Sequence, residues 1–145
     1  MIKIVQGNMF TTSLQTIMCT TNTIGAMGRG NALYVKKKYP EVFSHYRSLY
    51  KNGELDIHTL HISPTRDKKQ ILLFPTKKEW YYDSHPDWIA YNLRTLSTQY
   101  EALGIKSLAM PLPGVGNGNV CVHLSHFLVE AYLSELPIPI ELYMR

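Results

Sequence analysis

The sequence is poor in cysteine and has no long apolar run. Its two cysteines, Cys19 and Cys121, stand in no CxxC or Cys/His spacing, so there is no zinc motif, and the apolar surroundings of Cys19 favour a small buried residue. No segment approaches the roughly 18 apolar residues of a transmembrane helix, and the residues after Met1 lack the pattern of a signal peptide. We therefore expect no metal, no cofactor, no membrane association and a cytoplasmic location (the host cytoplasm if the chain is viral).

Acidic residues are also scarce. The chain has 11 Asp and Glu against 15 Lys and Arg, which gives a net charge of +4 and a pI near 9.0. Part of the basic excess is clustered at residues 36–38, 66 with 68–69, and 77–78. Such clusters are common on solvated helix and turn surfaces, and they also suit the rim of a site for phosphate or nucleic acid. Both interpretations stay open.

The length and apolar content fit one domain. At 145 residues and 45% hydrophobic content, the chain can bury a core without disulfides or a structural metal. No internal repeat, linker or low-complexity segment divides it. We expect a single domain over residues 1–145, acting as a monomer.

Strand-like and helix-like segments alternate along the chain. The patterns predict strands over residues 1–6, 16–21, 57–62, 70–74, 107–110 and 138–143. They predict helices over residues 31–38, 40–50 and 122–134, and a long one that starts at Pro86 and ends before Gly104. Pro75 is expected to break the fourth strand, and Ser84 or Asp83 to cap the helix at Pro86. This order predicts an α/β fold with a mixed, mostly parallel sheet between helices.

Three unusual segments, residues 22–30, 75–80 and 111–119, follow predicted strands directly. Ligands bind beyond the carboxyl ends of strands in such sheets, so these segments should meet at one edge. The first and third are rich in glycine, which lets backbone N–H groups approach an anion, but neither has the P-loop or GxGxxG pattern. Either segment alone fits a tight turn as well as a phosphate cradle. Together they favour a diphosphate ligand.

These segments also resemble a known family. Residues 20–33, TTNTIGAMGRGNAL, resemble the distal-ribose loop of macrodomains, most closely in the branch of the DNA ADP-ribosyl glycohydrolase antitoxins and the terminal ADP-ribose protein glycohydrolase. Residues 74–77, FPTK, and 111–118, PLPGVGNG, match the other two signatures of that branch in order and spacing. The similarity covers nearly the whole chain.

The resemblance implies a macrodomain that binds ADP-ribose, with a three-layer α/β/α fold and a sheet of about six strands. In that branch the lysine at the position of Lys77 attacks the anomeric carbon of the distal ribose, and Asn22 matches the residue that orients this ribose. Asn8 stands where many macrodomains use aspartate to bind the adenine amino group. The ligand-binding residues implied in this way are Asn8, Met9, Asn22, Gly25, Met27, Gly28, Gly30, Thr76, Pro113, Gly114, Val115, Gly116, Asn117 and Gly118.

The expected activity is removal of ADP-ribose from nucleic acid or protein. Lys77 must first lose its proton, and we expect burial and the cations Lys78 and Arg29 to lower its pKa. Gly118 stands where some relatives carry an acidic partner for the lysine, and its presence favours nucleic-acid substrates. The aromatic residues 80–82 fit stacking on a base or packing on a helix equally well. A non-catalytic ADP-ribose reader and an ADP-ribose 1″-phosphate phosphatase stay open as alternatives.

Overall fold

A computed structural model describes residues 1–144, which form a six-stranded sheet between helices. The strands are β1 (Ile2–Val5), β2 (Thr16–Asn22), β3 (His61–Pro64), β4 (Gln70–Lys77), β5 (Leu108–Pro111) and β6 (Ile140–Tyr143). The helices are α1 (Gly30–Lys38), α2 (Pro40–Lys51), α3 (Pro86–Gln99) and α4 (Val122–Leu133), with a short 3-10 helix over Met9–Thr11.

The sheet is mixed and mostly parallel, as the sequence predicts. The strand order is β1-β6-β5-β2-β4-β3, and only β3, at one edge of this described sheet, runs antiparallel to its neighbour. The carboxyl ends of β2, β4 and β5 therefore lie side by side at the centre of one edge. This is the place where the predicted loops were expected to meet.

Helices cover both faces of the sheet. Met18 and Leu72 belong to a core formed with α3 and α4, whereas their neighbours Ile17 and Ile71 belong to a second core formed with α1 and α2. Successive strand residues point to opposite faces, so each central strand supplies both cores. The three-layer α/β/α architecture is confirmed. None of the helices within residues 1–144 has the length and apolar content needed to cross a bilayer.

The prediction that Pro75 breaks its strand is wrong. β4 continues to Lys77, and Pro75 pairs with Thr21 of β2. β3 stops pairing at Leu73, so no ladder hydrogen bond is required of Pro75 on that side. The Pro75 carbonyl accepts a hydrogen bond from the Asn92 side chain of α3 instead, at 2.9 Å.

The cap of α3 and the start of β3 also differ from the prediction. His85 caps α3, because its Nδ1 accepts from the Asp87 backbone N–H at 3.1 Å. The predicted caps have other partners: the Ser84 N–H donates to the Gly118 carbonyl, and the Asp83 carboxylate accepts from the Asn119 amide. β3 starts four residues later than predicted, because residues before it form a turn and loop.

Asn92 holds the end of β4 in place, and its replacement should destabilise the fold. Its fully buried amide donates to the carbonyls of Ile57 and Pro75, at 2.8 and 2.9 Å. Asn92→Ala leaves both carbonyls without this donor, so we expect the free energy of unfolding to fall by about 3 kcal/mol in chemical denaturation. Thr98→Ala, at an exposed position of the same helix, should change it by less than about 0.5 kcal/mol. Equal effects of the two substitutions would contradict this role of Asn92.

Candidate functional site

A cavity of about 1000 Å³ opens at the carboxyl ends of β2, β4 and β5. It brings together the three segments that the sequence singled out. A smaller cavity of about 260 Å³ adjoins it and shares four lining residues, Asn31, Pro111, Tyr143 and Met144. Together the two cavities form one cleft whose size suits a dinucleotide-sized ligand.

Most residues named from the sequence line this cleft. The larger cavity is lined by Asn22, Gly28, Gly30, Thr76, Lys77, Gly114, Val115, Gly116, Asn117 and Gly118. Asn8 and Met9 line the smaller one. Gly25, Met27 and Pro113 line neither cavity. That each lining residue contacts a ligand stays a prediction.

The three residues outside the cleft shape its walls. Gly25 has a φ of +75°, and a Cβ there would lie 2.8 Å from the guanidinium of Arg47, so the loop packs directly on α2. Met27 is buried in the core beneath the loop. The Pro113 carbonyl accepts a hydrogen bond from the Ser125 hydroxyl at 2.7 Å, which fixes the second glycine-rich loop to α4.

Asn22 organises the first loop. Its Oδ1 accepts from the backbone N–H groups of Ile24 and Ala26, both at 3.2 Å, and from the Tyr46 hydroxyl at 2.8 Å. Its Nδ2 donates to the Ala26 carbonyl at 2.9 Å, which leaves its second N–H for a ligand. Burial raises the pKa of the Tyr46 phenol, so this group stays protonated as the donor.

The second loop is tightly packed where its glycines lie. At Gly114, a Cβ would come within 2.3 Å of the Ile89 side chain, and φ is +81°. At Gly118, a Cβ would come within 2.4 Å of both the Ser84 hydroxyl and the Gly114 carbonyl. The position where some macrodomains carry an acid therefore has room only for hydrogen.

A bulge in the sheet sets Lys77 beside Asn22. Thr21 pairs with Pro75 but Asn22 pairs with Lys77, so β4 carries one extra residue, Thr76, at this point. The Lys77 Nζ donates to the carbonyls of Asn117, at 2.6 Å, and Trp80, at 3.1 Å. These contacts hold the amine at the wall of the cavity.

The surroundings of Lys77 make its ammonium group easier to deprotonate. Partial burial lowers the pKa of its ammonium group, and the nearby Arg29 cation lowers it further, while Asp83 opposes them. The expected contribution of Lys78 is not found: its Nζ lies 5.2 Å from the Trp88 ring centre. An uncharged amine can donate its two N–H bonds to the Asn117 and Trp80 carbonyls and keep its lone pair for the cavity.

In the smaller cavity, the side-chain oxygen of Asn8 already accepts one hydrogen bond from the protein. Its Oδ1 accepts from the Phe10 N–H at 2.9 Å and caps the 3-10 helix, which leaves one lone pair for a ligand. Tyr143 lines both cavities and donates to the Glu141 carboxylate at 2.8 Å. Sequence reasoning missed Tyr143, although it ends β6 at the edge of the sheet where the other ligand loops lie.

Comparison with known proteins agrees with this geometry. The family model for the macro domain matches residues 19–125. The chain belongs to the macrodomain family. It is 36% identical, over 83% of its length, to the DNA ADP-ribosyl glycohydrolase of Mycobacterium bovis, and 31% identical, over 99%, to a DNA ADP-ribosyl transferase–DNA ADP-ribosyl glycohydrolase fusion protein of Thermosipho africanus.

Solved structures of relatives have the same fold. The DarG macrodomain of Mycobacterium tuberculosis matches with a TM-score of 0.94 at 32% identity, covering 100% of this chain and 98% of that one. Thermosipho africanus DarTG in complex with ADP-ribose matches with a TM-score of 0.93 at 32% identity, covering 99% of this chain and 41% of that one. The matches span only 35% of the M. bovis relative and 42% of the T. africanus relative.

Removal of the Tyr46 hydroxyl should loosen the first loop. Tyr46→Phe deletes the buried hydrogen bonds to the Asn22 carbonyl and side chain, so we expect about 1 kcal/mol less stability and a several-fold weaker affinity for ADP-ribose. Denaturant titration and calorimetry measure both. Tyr50→Phe is the matched control, because the Tyr50 hydroxyl has no hydrogen-bond partner among residues 1–144. If both substitutions weaken binding alike, the Tyr46 hydroxyl does not organise the loop.

Proposed function

We propose that this chain is an ADP-ribosyl glycohydrolase that removes ADP-ribose from DNA, with Lys77 as the nucleophile. The observation that carries the proposal is the position of the Lys77 amine. It lies at the wall of the large cavity, beside Asn22, with its pKa lowered by burial and by Arg29. Lysines with a lowered pKa in a cavity are found at catalytic sites more often than on surfaces that only bind a ligand.

The chemistry follows from the groups at the wall of the cavity. The uncharged Lys77 amine attacks the anomeric carbon of the distal ribose, a C–N bond forms to Nζ, and the bond from that carbon to the DNA base breaks. The proton released from the alkylated nitrogen goes to the departing base. Opening of the sugar ring gives a Schiff base on Lys77, and water hydrolyses it to ADP-ribose and the free lysine.

Asn22 and the glycine-rich loops position the ligand for this attack. In this proposal the spare N–H of Asn22 binds the ribose that Lys77 attacks, and the backbone N–H groups of the two loops bind the diphosphate. Among the cavity-lining residues of the described chain there is no Asp, Glu or His. In this proposal Lys77 supplies both the attack and the proton for the leaving group.

DNA is the acceptor that these features favour. Two relatives that match most of this chain are named for removal of ADP-ribose from DNA. Gly118 has no room for the acid that would assist a different leaving group.

We also propose that the protein acts as a monomer in the cytoplasm. Neither Cys19, which is buried, nor Cys121, which is exposed, forms a disulfide, and this suits a reducing compartment.

Turnover by wild type and Lys77→Ala tests the proposal. The substrates are an oligonucleotide with an ADP-ribosylated base, a protein with ADP-ribosylated glutamate, and ADP-ribose 1″-phosphate. We expect release of ADP-ribose from the oligonucleotide, a loss of at least about a thousandfold in Lys77→Ala, and retained binding of free ADP-ribose by calorimetry.

The same experiment separates the alternatives. Binding of ADP-ribose without turnover of any substrate makes the protein a reader. Phosphate release from ADP-ribose 1″-phosphate alone makes it a phosphatase. Turnover of the oligonucleotide that persists in Lys77→Ala would show that another group is the nucleophile.

The pH dependence of turnover should report the ionisation of Lys77. Activity rises with pH as the ammonium loses its proton, and we expect the midpoint to lie below that of an ordinary lysine. Arg29→Gln removes a cation that lowers the Lys77 pKa, so the midpoint should move to higher pH and activity at neutral pH should fall.

Lys78→Gln is the matched control for this pH profile. It removes a neighbouring cation that lies over the Trp88 ring and does not contribute to the shift of Lys77. The midpoint should therefore stay where it is in wild type. An Arg29→Gln profile that coincides with wild type would contradict the electrostatic account of Lys77.

A further inference from the structure

Three consecutive aromatic side chains lie exposed beside the cavity. Trp80, Tyr81 and Tyr82 are 46%, 56% and 62% exposed. The rings of Trp80 and Tyr81 meet edge to face at 5.2 Å, and those of Tyr81 and Tyr82 lie 4.7 Å apart. Large aromatic rings clustered on a surface mark an interaction site far more often than single exposed ones do. We call residues 80–82 the aromatic platform.

The platform starts at the reacting centre. Trp80 lines the large cavity, and its carbonyl accepts a hydrogen bond from the Lys77 amine. The Arg29 guanidinium lies 5.4 Å from the centre of the Trp80 ring. Trp80 thus joins the exposed rings to the part of the cavity wall that holds the Lys77 amine.

The segment that carries the platform is held at several points. The Tyr82 N–H donates to the Glu79 carbonyl, and the Ser84 N–H donates to the Gly118 carbonyl at 3.0 Å. The Asp83 carboxylate accepts from the Asn119 amide at 2.7 Å. A platform held in this way loses little conformational entropy when a partner stacks on it.

The charge around the platform is balanced. Residues 77–87 carry the cations Lys77 and Lys78 and the acids Glu79, Asp83 and Asp87, and Arg29 adds a third cation over Trp80. A site that binds a phosphate backbone mainly by charge would show an excess of cations. The dominant contact available is therefore stacking, which needs the open faces of unpaired bases, because duplex bases are already stacked on one another.

We propose that the aromatic platform stacks bases of single-stranded DNA next to the ADP-ribosylated nucleotide. This inference deepens the proposed function, on which it rests, by assigning residues that select the form of the DNA. The platform acts by positioning the strand, whereas Lys77 does the chemistry. It should hold unpaired bases with little sequence preference.

Tryptophan fluorescence tests the platform without any need for turnover. The chain has two tryptophans, Trp80 and Trp88, so Trp88→Phe leaves Trp80 as the only reporter. In this background, titration with an unmodified oligothymidylate should quench the Trp80 emission, and a duplex of the same length should not. Adding Tyr81→Ala and Tyr82→Ala should weaken the single-strand affinity by about tenfold or more.

Two control variants separate stacking from damage to the fold. Replacing both tyrosines by phenylalanine keeps the rings and should keep the affinity. Phe127→Ala removes an aromatic ring that is 68% exposed on α4, away from the cavity lining, and should leave quenching unchanged. Quenching by duplex as strong as by single strand, or equal affinity in the double alanine variant, would overturn the proposal.

A turnover experiment links the platform to the reaction. The double alanine variant should have a KM about tenfold higher for an oligonucleotide with one ADP-ribosylated base, and an unchanged KM for the ADP-ribosylated nucleoside. An equal rise for both substrates would overturn the platform. So would a dependence on the tyrosines that is seen only with an ADP-ribosylated protein, since the partner would then be a polypeptide.

Failure of the proposed function has a different signature. Quenching by single-stranded DNA that depends on the tyrosines, with no release of ADP-ribose from any substrate, leaves the platform in place and removes the glycohydrolase activity. Release of ADP-ribose without such quenching keeps the glycohydrolase activity and removes the platform.

Discussion

The parallel pairing of β2 with β4 is the constraint on which the site depends. This pair lies at the centre of the sheet, with helices on both sides, and it ends with Asn22 directly opposite Lys77. The bulge at Thr76 is what brings these two residues to the same level. Beyond the bulge, the Thr23 N–H donates to the Lys78 carbonyl, so the segments that follow β2 and β4 stay hydrogen-bonded past the ends of these strands. The loop that suits the ligand and the amine that suits the reaction are thus parts of one rigid unit.

The steric limits of the glycine-rich loops restrict the chemistry in turn. The backbone at Gly114 and Gly118 is so close to Ile89 and Ser84 that neither position accepts a side chain. This close approach leaves backbone groups at the cavity wall, which suits a diphosphate, but it also removes the position of an acidic partner for Lys77. The lowered pKa of Lys77 partly offsets that loss, because it makes the proton of the ammonium group easier to remove.

Much of the architecture could be predicted from residues alone, because periodicity and end signals are local. The alternating elements, the mixed sheet and the meeting of three loops at one edge are confirmed. Pro75 was misjudged because its partner Asn92 lies on α3, and Ser84 and Asp83 were misjudged as caps because they bond to Gly118 and Asn119, contacts that no local signal shows. Gly25 and Met27 were predicted to bind the ligand but line neither cavity, because the pattern marks a loop and does not show which of its residues face inward. Tyr143 is far from every motif in the sequence and reaches the cleft only through the pairing of β6 with β5.

The central claim is that Lys77 forms a covalent bond with the distal ribose. Borohydride reduction during turnover of an ADP-ribosylated oligonucleotide, followed by mass spectrometry of the intact protein and its peptides, tests it most directly. The account predicts a stable adduct of the opened sugar on Lys77, absent from Lys77→Ala and from protein reduced without substrate. Turnover at the wild-type rate with no adduct, or with the adduct on a different residue, would contradict it.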